Sequence, residues 1–503
     1  HIWITDNFTK LSLRNTLFRA WFSQRMRAID RLRRHPAEVQ ERMLRLRLER
    51  GRRTAFGRAF GLDRVHTPEA FAAAVPVFDY ERFKPYVGRM LAGERDVAAP
   101  GRVTLYARSS GTTSDRSKYI PLTGESVWGN HTLGMRDVAT LYAAAYPRSR
   151  VFEGRTLTLG GSCAREGRNL VGDLSALLLC RTGFLGGWFR APRTATAILP
   201  DFWQKADAIC RECAGQRITS FAGVPSWNLA LMRRVLELTG KSNLLEVWPR
   251  LELFAHGGVE FAPYRRSFEE LIPSGDMHYM NTYNASEGFF ALADDPARDD
   301  MLLMLDYGTW YEFRDGERIV PLEGVECGRT YALLVTSSNG LWRYEIGDRV
   351  EFTSTDPYRI RFAGRTRQYI NAFGEELIVE NADRALVEAC RATGAAVSEY
   401  TVAPCYMSLS ERGAHEWIVE FSREPDDRER FAEELDRALR AVNSDYDAKR
   451  LTTLDRQRIV AVEPGRFLGW MRARGKNKVP RLVNDRRIAD DVLAVGATTE
   501  AAN

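Results

Sequence analysis

The chain has 503 residues, a length that on general grounds suggests roughly two to four domains, and its 44% hydrophobic and 27% charged content suits a globular protein with a substantial core. Lys and Arg number 72 against 66 Asp and Glu, a net charge of +6 that is too slight to call for a nucleic-acid partner, and no nucleic-acid module is recognisable. No apolar run approaches the roughly 18 residues of a membrane span, no signal peptide is expected, and seven scattered cysteines point to reduced thiols and a cytoplasmic setting rather than a disulfide framework.

Residues 10 to 60 read as two amphipathic helices split at His35-Pro36, with arginines alternating with Leu, Met and Ile in 24-QRMRAIDRLRRH-35 and 45-RLRLERGRR-53. The spacing fits solvated helix faces better than a membrane surface or RNA. Then 77-FDYERFKPYVGRMLAGE-94 reads as helix and loop. Apolar strand-like runs follow at 102–109, 155–161, 217–223 and 251–258, with helical patterns at 226–240 and 264–272. Strand-then-helix order argues for an α/β fold with a substantially parallel sheet. From about residue 300 the pattern is β-rich, as in 302–313, 330–338 and 341–352. Strands and helices then alternate to the end, with a boundary expected near Gly364-Arg365 and a small α+β domain beyond it. The lone C-x-x-C of Cys210 and Cys213 falls on an expected helix and is a weak metal or redox signal.

Three stretches carry candidate chemistry. In 109-SSGTTSDRSK-118, hydroxyls of Ser109, Ser110, Thr112 and Thr113 surround Gly111, whose freedom lets N–H groups converge on an anion, and Lys118 supplies positive charge. The usual phosphate loop, with two glycines ahead of Lys-Ser or Lys-Thr, is absent. In 281-NTYNASEGFF-290, Tyr283 suits stacking on a base, and Ser286 beside Glu287 suits a hard Mg²⁺ ion. The same residues also suit a turn capped by Ser286 or Asn284. In 340-GLWRYEIGDRVEF-352, Asp348 follows a glycine at a strand end, where an acid can take ribose hydroxyls or simply close a turn.

In this order, 109-SSGTTSDRSK-118, 283-YNASE-287 and Tyr344 to Asp348 resemble the three nucleotide motifs of the Gretchen Hagen acyl-acid amido synthetases, within the firefly-luciferase-like adenylating superfamily. Further likeness lies in 54-TAFGRAFG-61, 222-AGVPSW-227, 364-GRTRQYINAFGEELIVENA-382, 443-NSDYDAKR-450 and 475-GKNKVPRL-482, so it runs from about 35 to 485. Asp115 stands where the family usually has Gly, and Glu345 where plant members often have Arg.

The resemblance implies an α/β fold in two parts. A large N-terminal adenylating domain, 1–364, has β-sheets flanked by helices plus a β-barrel-like part, and a smaller mobile C-terminal α+β domain spans 365–503. It implies a ligase that uses ATP and Mg²⁺ to make an acyl-adenylate from a small carboxylic acid and passes the acyl group to an amine, an amino acid above all. On this reading Ser109, Ser110, Gly111, Thr112 and Thr113 hold phosphates and Glu287 holds Mg²⁺ with Ser286 beside it. Tyr283 packs on adenine against Gly258, Val259 and Glu260, Asp348 holds the ribose next to Tyr344, and Lys478 reaches the developing charge. Val224, Trp227, Phe254, His256 and Phe289 are the candidate acyl-pocket residues, and His415 is expected to support the small domain. The rival readings are an acyl-CoA or carrier-protein ligase, although no carrier module is recognisable, and a non-catalytic nucleotide-binding relative.

Overall fold

The computed structural model describes residues 13–110, 117–181, 189–366, 368–474, 476 and 478–495. The N-terminal region departs from the two-helix expectation: Leu13–Ser23, Met26–Arg34 and Pro36–Gly51 are separate helices. The extra break falls at Arg25, which is buried with its Nε 2.9 Å from Asp137 Oδ2 and its NH1 2.6 Å from Asp306 Oδ2. Bending the chain there gives a buried guanidinium two carboxylates, the only arrangement in which burying it is tolerable. Arg33 and Arg47 are likewise paired, with Asp294 and Glu125. Arg25, Arg33 and Arg47 therefore fasten these helices to the body of the protein, while Arg27, Arg31, Arg34, Arg45, Arg50, Arg52 and Arg53 are exposed on solvated faces.

One sheet of twelve strands organises the chain up to Arg365. From one edge its strands are Arg318–Pro321, Thr309–Asp315, Thr330–Ser337, Tyr344–Thr355, Tyr358–Arg365, Met301–Leu303, Gly288–Leu292, His278–Ala285, Leu253–Gly257, Ile218–Gly223, Arg155–Thr158 and Arg190–Ala191. The strands from His278–Ala285 to the second edge run parallel, and the rest pair antiparallel. The β-rich region expected as a barrel-like part thus continues the same hydrogen-bonded sheet. Helices Phe202–Cys213, Pro225–Thr239 and Ala262–Leu271 serve the parallel half, as strand-then-helix order requires. Pro225 opens its helix and Gly240, at φ +65°, closes it. Cys210 and Cys213 are buried on the first of these helices, and burial raises both thiols.

A second sheet has the order Ser117–Leu122, Leu105–Ser110, Asn169–Gly172, Cys163–Glu166. After Arg365 comes a three-stranded sheet, Ala396–Cys405, Ala414–Arg423 and Arg458–Val462, flanked by helices Val379–Thr393 and Arg428–Val442. One hydrophobic core joins the N-terminal helices to the antiparallel half of the large sheet. Another joins the parallel half to the C-terminal strands and helices through Phe221, Leu229, Phe373, Leu377 and Trp417.

Candidate active site

Three adjacent parallel strands end at the same edge. Gly223 lies opposite His256, and Gly257 lies opposite Thr282. Beyond those carboxyl ends come Val224, then Gly258-Val259-Glu260, then Ser286-Glu287. Ligands of open α/β sheets sit in the crevice outside such ends, where strand direction changes. His278–Ala285 is that change, with a parallel neighbour on one side and an antiparallel one on the other. Only glycine fits at 257, because a Cβ there would lie 2.4 Å from the Thr282 carbonyl oxygen.

A cluster of charges faces this edge. The Tyr283 hydroxyl donates to Asp348 Oδ2 at 2.7 Å, and Arg365 Nε donates to Asp348 Oδ1 at 2.9 Å. The second arm of Arg365 reaches Glu376 Oε2 at 3.2 Å. Asp348 and Arg365 meet because their strands pair antiparallel with these two residues in register. A carboxylate has about four acceptor sites, so Asp348 retains capacity for further donors after these two bonds.

Lys118 stands opposite Ser109 on the hairpin that carries the hydroxyl-rich loop. Burial lowers its pKa, and Arg365 adds to the effect, while Glu287, Glu376 and Asp348 pull it back. Glu287 is 9% exposed, and burial pushes its carboxyl up to about 7; Lys118 opposes that rise and Asp348 reinforces it. The hairpin residue Lys118, the Glu287 turn and the Asp348 strand therefore share one electrostatic cluster.

Glu287 forms no ion pair within 4.0 Å among the described residues, and no group of three or more His, Cys, Asp or Glu gathers there as a metal cage. A buried, unpaired carboxylate fits a hard divalent cation that takes one or two oxygens from protein and the rest from phosphate and water. The Ser286 and Glu287 carbonyls accept from Asn339 Nδ2 at 3.5 and 2.9 Å, which pins the turn.

Other expected residues divide into those at the edge and those inside the core. Val224 and Trp227 are half-buried, and Val224 lies beside Gly258, whose missing Cβ would lie 3.2 Å from Val224 Cγ2. Phe254 is fully buried, stacked on Phe221 at 4.3 Å, and Phe289 packs under Gly134 and near Tyr307. Both are core residues. Tyr344 is 1% exposed with its ring 6.0 Å from Phe83, so it supports the Asp348 strand from within. His256 is stacked on Phe261 at 4.0 Å, and burial, aided by Arg265, lowers it to about 3. It is thus a neutral, packed imidazole with an unpartnered Nδ1.

Gly111, Thr112, Thr113 and Asp115 lie outside the described residues, as do the side chains of Ser109 and Ser110. Lys478 is exposed, and no hydrogen bond or ion pair ties it to the Glu287–Asp348 cluster. Glu345 pairs with Arg314 at 3.2 Å across the intervening strand Thr330–Ser337. His415 is fully buried against Glu375 at 2.8 Å, in the supporting place expected of it.

Sequence reasoning missed Arg365 and Glu376 as members of the cluster. Their signal lay in 364-GRTRQYINAFGEE-376, where Arg365 ends the large sheet and Asn371 Nδ2 returns to donate to the Gly258 carbonyl at 2.9 Å.

Comparison with known proteins gives matches along most of the chain. The GH3 family N-terminal domain matches residues 25–166 and 162–277, the central domain 302–365 and the C-terminal domain 380–487. The rice (Oryza sativa subsp. indica) indole-3-acetic acid-amido synthetase GH3.8 is 25% identical over 92% of this chain and 90% of the relative. The Arabidopsis thaliana indole-3-acetic acid-amido synthetase GH3.4 is 22% identical over 75% of each. Among solved structures, the GH3.15 acyl acid amido synthetase superposes with a TM-score of 0.56 at 18% identity, covering 91% of this chain and 93% of that one. A 2-hydroxyisobutyryl-CoA ligase superposes with a TM-score of 0.52 at 14% identity, covering 98% and 94%. These two share the fold. With matches to all three of its domains in order, the chain belongs to the GH3 family.

Proposed function

We propose that this protein is an ATP-dependent acyl-acid amido synthetase that activates a small carboxylic acid as its acyl-adenylate and transfers the acyl group to the amine of an amino acid. The observation that carries the reading is the convergence of Lys118, Glu287, Asp348 and Arg365 at the carboxyl ends of three parallel strands.

In the first step a carboxylate oxygen attacks the α-phosphorus of ATP, and the bond to pyrophosphate breaks. A carboxylate is already nucleophilic at neutral pH, so the protein supplies alignment and charge stabilisation. Ser109, Ser110, Thr112 and Thr113 are assigned to the phosphates, with Lys118 as the nearby cation. Tyr283 and the Gly258–Glu260 turn are assigned to the base, and Asp348 to the ribose. Glu287 would hold Mg²⁺, which when bound would neutralise phosphate charge. Val224 and Trp227 border the acyl group. In the second step the amine attacks the acyl carbon, AMP leaves, and the amine gives up a proton. Residues 365–503 are assigned as the moving part, with Lys478 brought in for the first step and withdrawn for the second.

ATP–pyrophosphate exchange over a panel of carboxylic acids tests this, followed by mass analysis of products with amino acids or with CoA. Acid-dependent exchange and an amide product are expected. Exchange with no acid, or AMP release that needs CoA, refutes the reading.

A further inference from the structure

The cysteine pair that the sequence singles out, Cys210 and Cys213, is buried in one helix. A different pair meets in space. Cys163 opens the strand Cys163–Glu166, and its Sγ lies 3.8 Å from Sγ of Cys180, in the last turn of the helix Leu174–Arg181. The two sulfurs touch, yet both thiols are free. Cys180 is exposed and Cys163 is half-buried. A dissolved reagent therefore reaches one sulfur directly, with the other standing behind it.

The local fold holds the pair together. Cys163 lies opposite Gly172 on the neighbouring strand. A Cβ at 172 would lie 2.6 Å from Cys163 Cβ, so glycine keeps that side of the cysteine clear. From Gly172 the chain enters the helix through Asp173, whose Oδ2 accepts from the Ser162 amide at 2.7 Å, and Ser175 Oγ accepts from the Gly161 amide at 2.9 Å. The start of the helix is thus fastened to the residues just before Cys163. Its eight residues span only about 12 Å, so Cys180 stays within reach of that strand.

Their surroundings separate the roles of the two thiols. Burial raises the Cys163 thiol, and Cys180 adds to the rise. Cys163 therefore stays protonated near neutral pH and is a poor first nucleophile. Arg190 is within electrostatic reach of Cys180 and donates to the neighbouring Leu179 carbonyl at 3.1 Å, which sets a cation beside the exposed sulfur. An accessible cysteine with a second thiol poised to resolve it is the arrangement of redox-sensing sites.

We propose that Cys163 and Cys180 form a reversible redox modification site, at which a peroxide closes a disulfide that ties the end of the helix Leu174–Arg181 to the outer strand of the sheet carrying the hydroxyl-rich hairpin. The Cys180 sulfur attacks a peroxide oxygen, the O–O bond breaks, one water leaves and Cys180 becomes a sulfenic acid. The Cys163 sulfur then attacks the Cys180 sulfur, the S–O bond breaks, and a second water leaves with the Cys163 proton. Two thiols give two electrons to one peroxide, and a dithiol reductant returns them. The sulfurs need only close from 3.8 Å to about 2.0 Å, a movement that the exposed end of the helix can supply. Gly172, opposite Cys163, also lies opposite Ala107, two residues before Ser109, so the clamp acts one strand away from the hairpin. This inference stands apart from the amido synthetase reading.

The test treats the reduced full chain with hydrogen peroxide, denatures it in iodoacetamide, and reads intact mass and digested peptides. Expected are a loss of two alkylatable thiols, a protein mass lower by about 2 Da before alkylation, a peptide pair joined through Cys163 and Cys180, and recovery of both thiols with dithiothreitol. Cys163→Ser should halt the reaction at a sulfenic acid on Cys180 that dimedone traps. In the wild type, hydrogen exchange of the 174–181 amides should slow on oxidation and recover on reduction. Several wild-type results overturn the inference without any variant: both thiols still alkylatable after peroxide, either one joined to another cysteine of the same or a second chain, or Cys180 carried to sulfinic acid while Cys163 stays free. Unchanged hydrogen exchange in the disulfide form overturns the clamp.

Discussion

Glu287 gives the sharpest prediction, because its environment charges the protein for holding it ready. Burial lifts its carboxyl from the ordinary 4.5 to about 7. Between those two pH values the folded protein binds more protons at this site than the unfolded chain does. Stability contributed here therefore falls as pH rises from 4.5 to 7, and the loss is complete above 7. A displacement of that size, at 1.36 kcal/mol per unit, sets a ceiling of about 3 kcal/mol. Glu287→Gln removes the charge and with it the penalty. In urea unfolding without nucleotide or metal, the variant should match the wild type near pH 4.5 and exceed it by up to about 3 kcal/mol at pH 8. The same variant should demand more Mg²⁺ for pyrophosphate exchange, since an amide is a poorer ligand for a hard cation. Identical pH dependence of unfolding in the two proteins would refute the account of Glu287 as a strained, cation-seeking carboxylate. Such a trade of stability for a primed site is common in enzymes.

Three further outcomes follow from the geometry. Lys478→Ala should abolish acid-dependent pyrophosphate exchange yet spare amide formation from a supplied acyl-adenylate; equal loss in both assays would remove its assigned role. Tyr283→Phe deletes one bond to Asp348, and thermal unfolding should record a loss of about 1 kcal/mol, with Arg365 still holding the carboxylate; a loss several times larger would mean the pair is a structural keystone. Gly257→Ala places a methyl 2.4 Å from the Thr282 carbonyl, so it should cost about 1–3 kcal/mol and raise KM for ATP. An unchanged melting temperature and KM would show that the edge tolerates bulk.

Local patterns settled a good deal of this protein. Alternating apolar residues and helical spacing are short-range signals, so strands such as Ile218–Gly223 and Leu253–Gly257, and helices such as Pro225–Thr239, were legible within one or two residues. Glu287 and Asp348 could be singled out because of a resemblance to the family's motifs, since residue type and spacing by themselves also suited plain turns. The break at Arg25 was not legible, because it depends on Asp137 and Asp306, more than 100 residues away. Phe289 was expected in the acyl pocket, yet it lies on a strand buried along its whole length, and Tyr344, expected beside the ribose site, turns into the core while Glu345 next to it does not. Arg365 joined the cluster through a strand register that pairs it with Asp348. Sequence determined which groups are present and what each can do; tertiary structure decided which of them meet, because burial and electrostatic coupling act through space between residues that the chain keeps far apart.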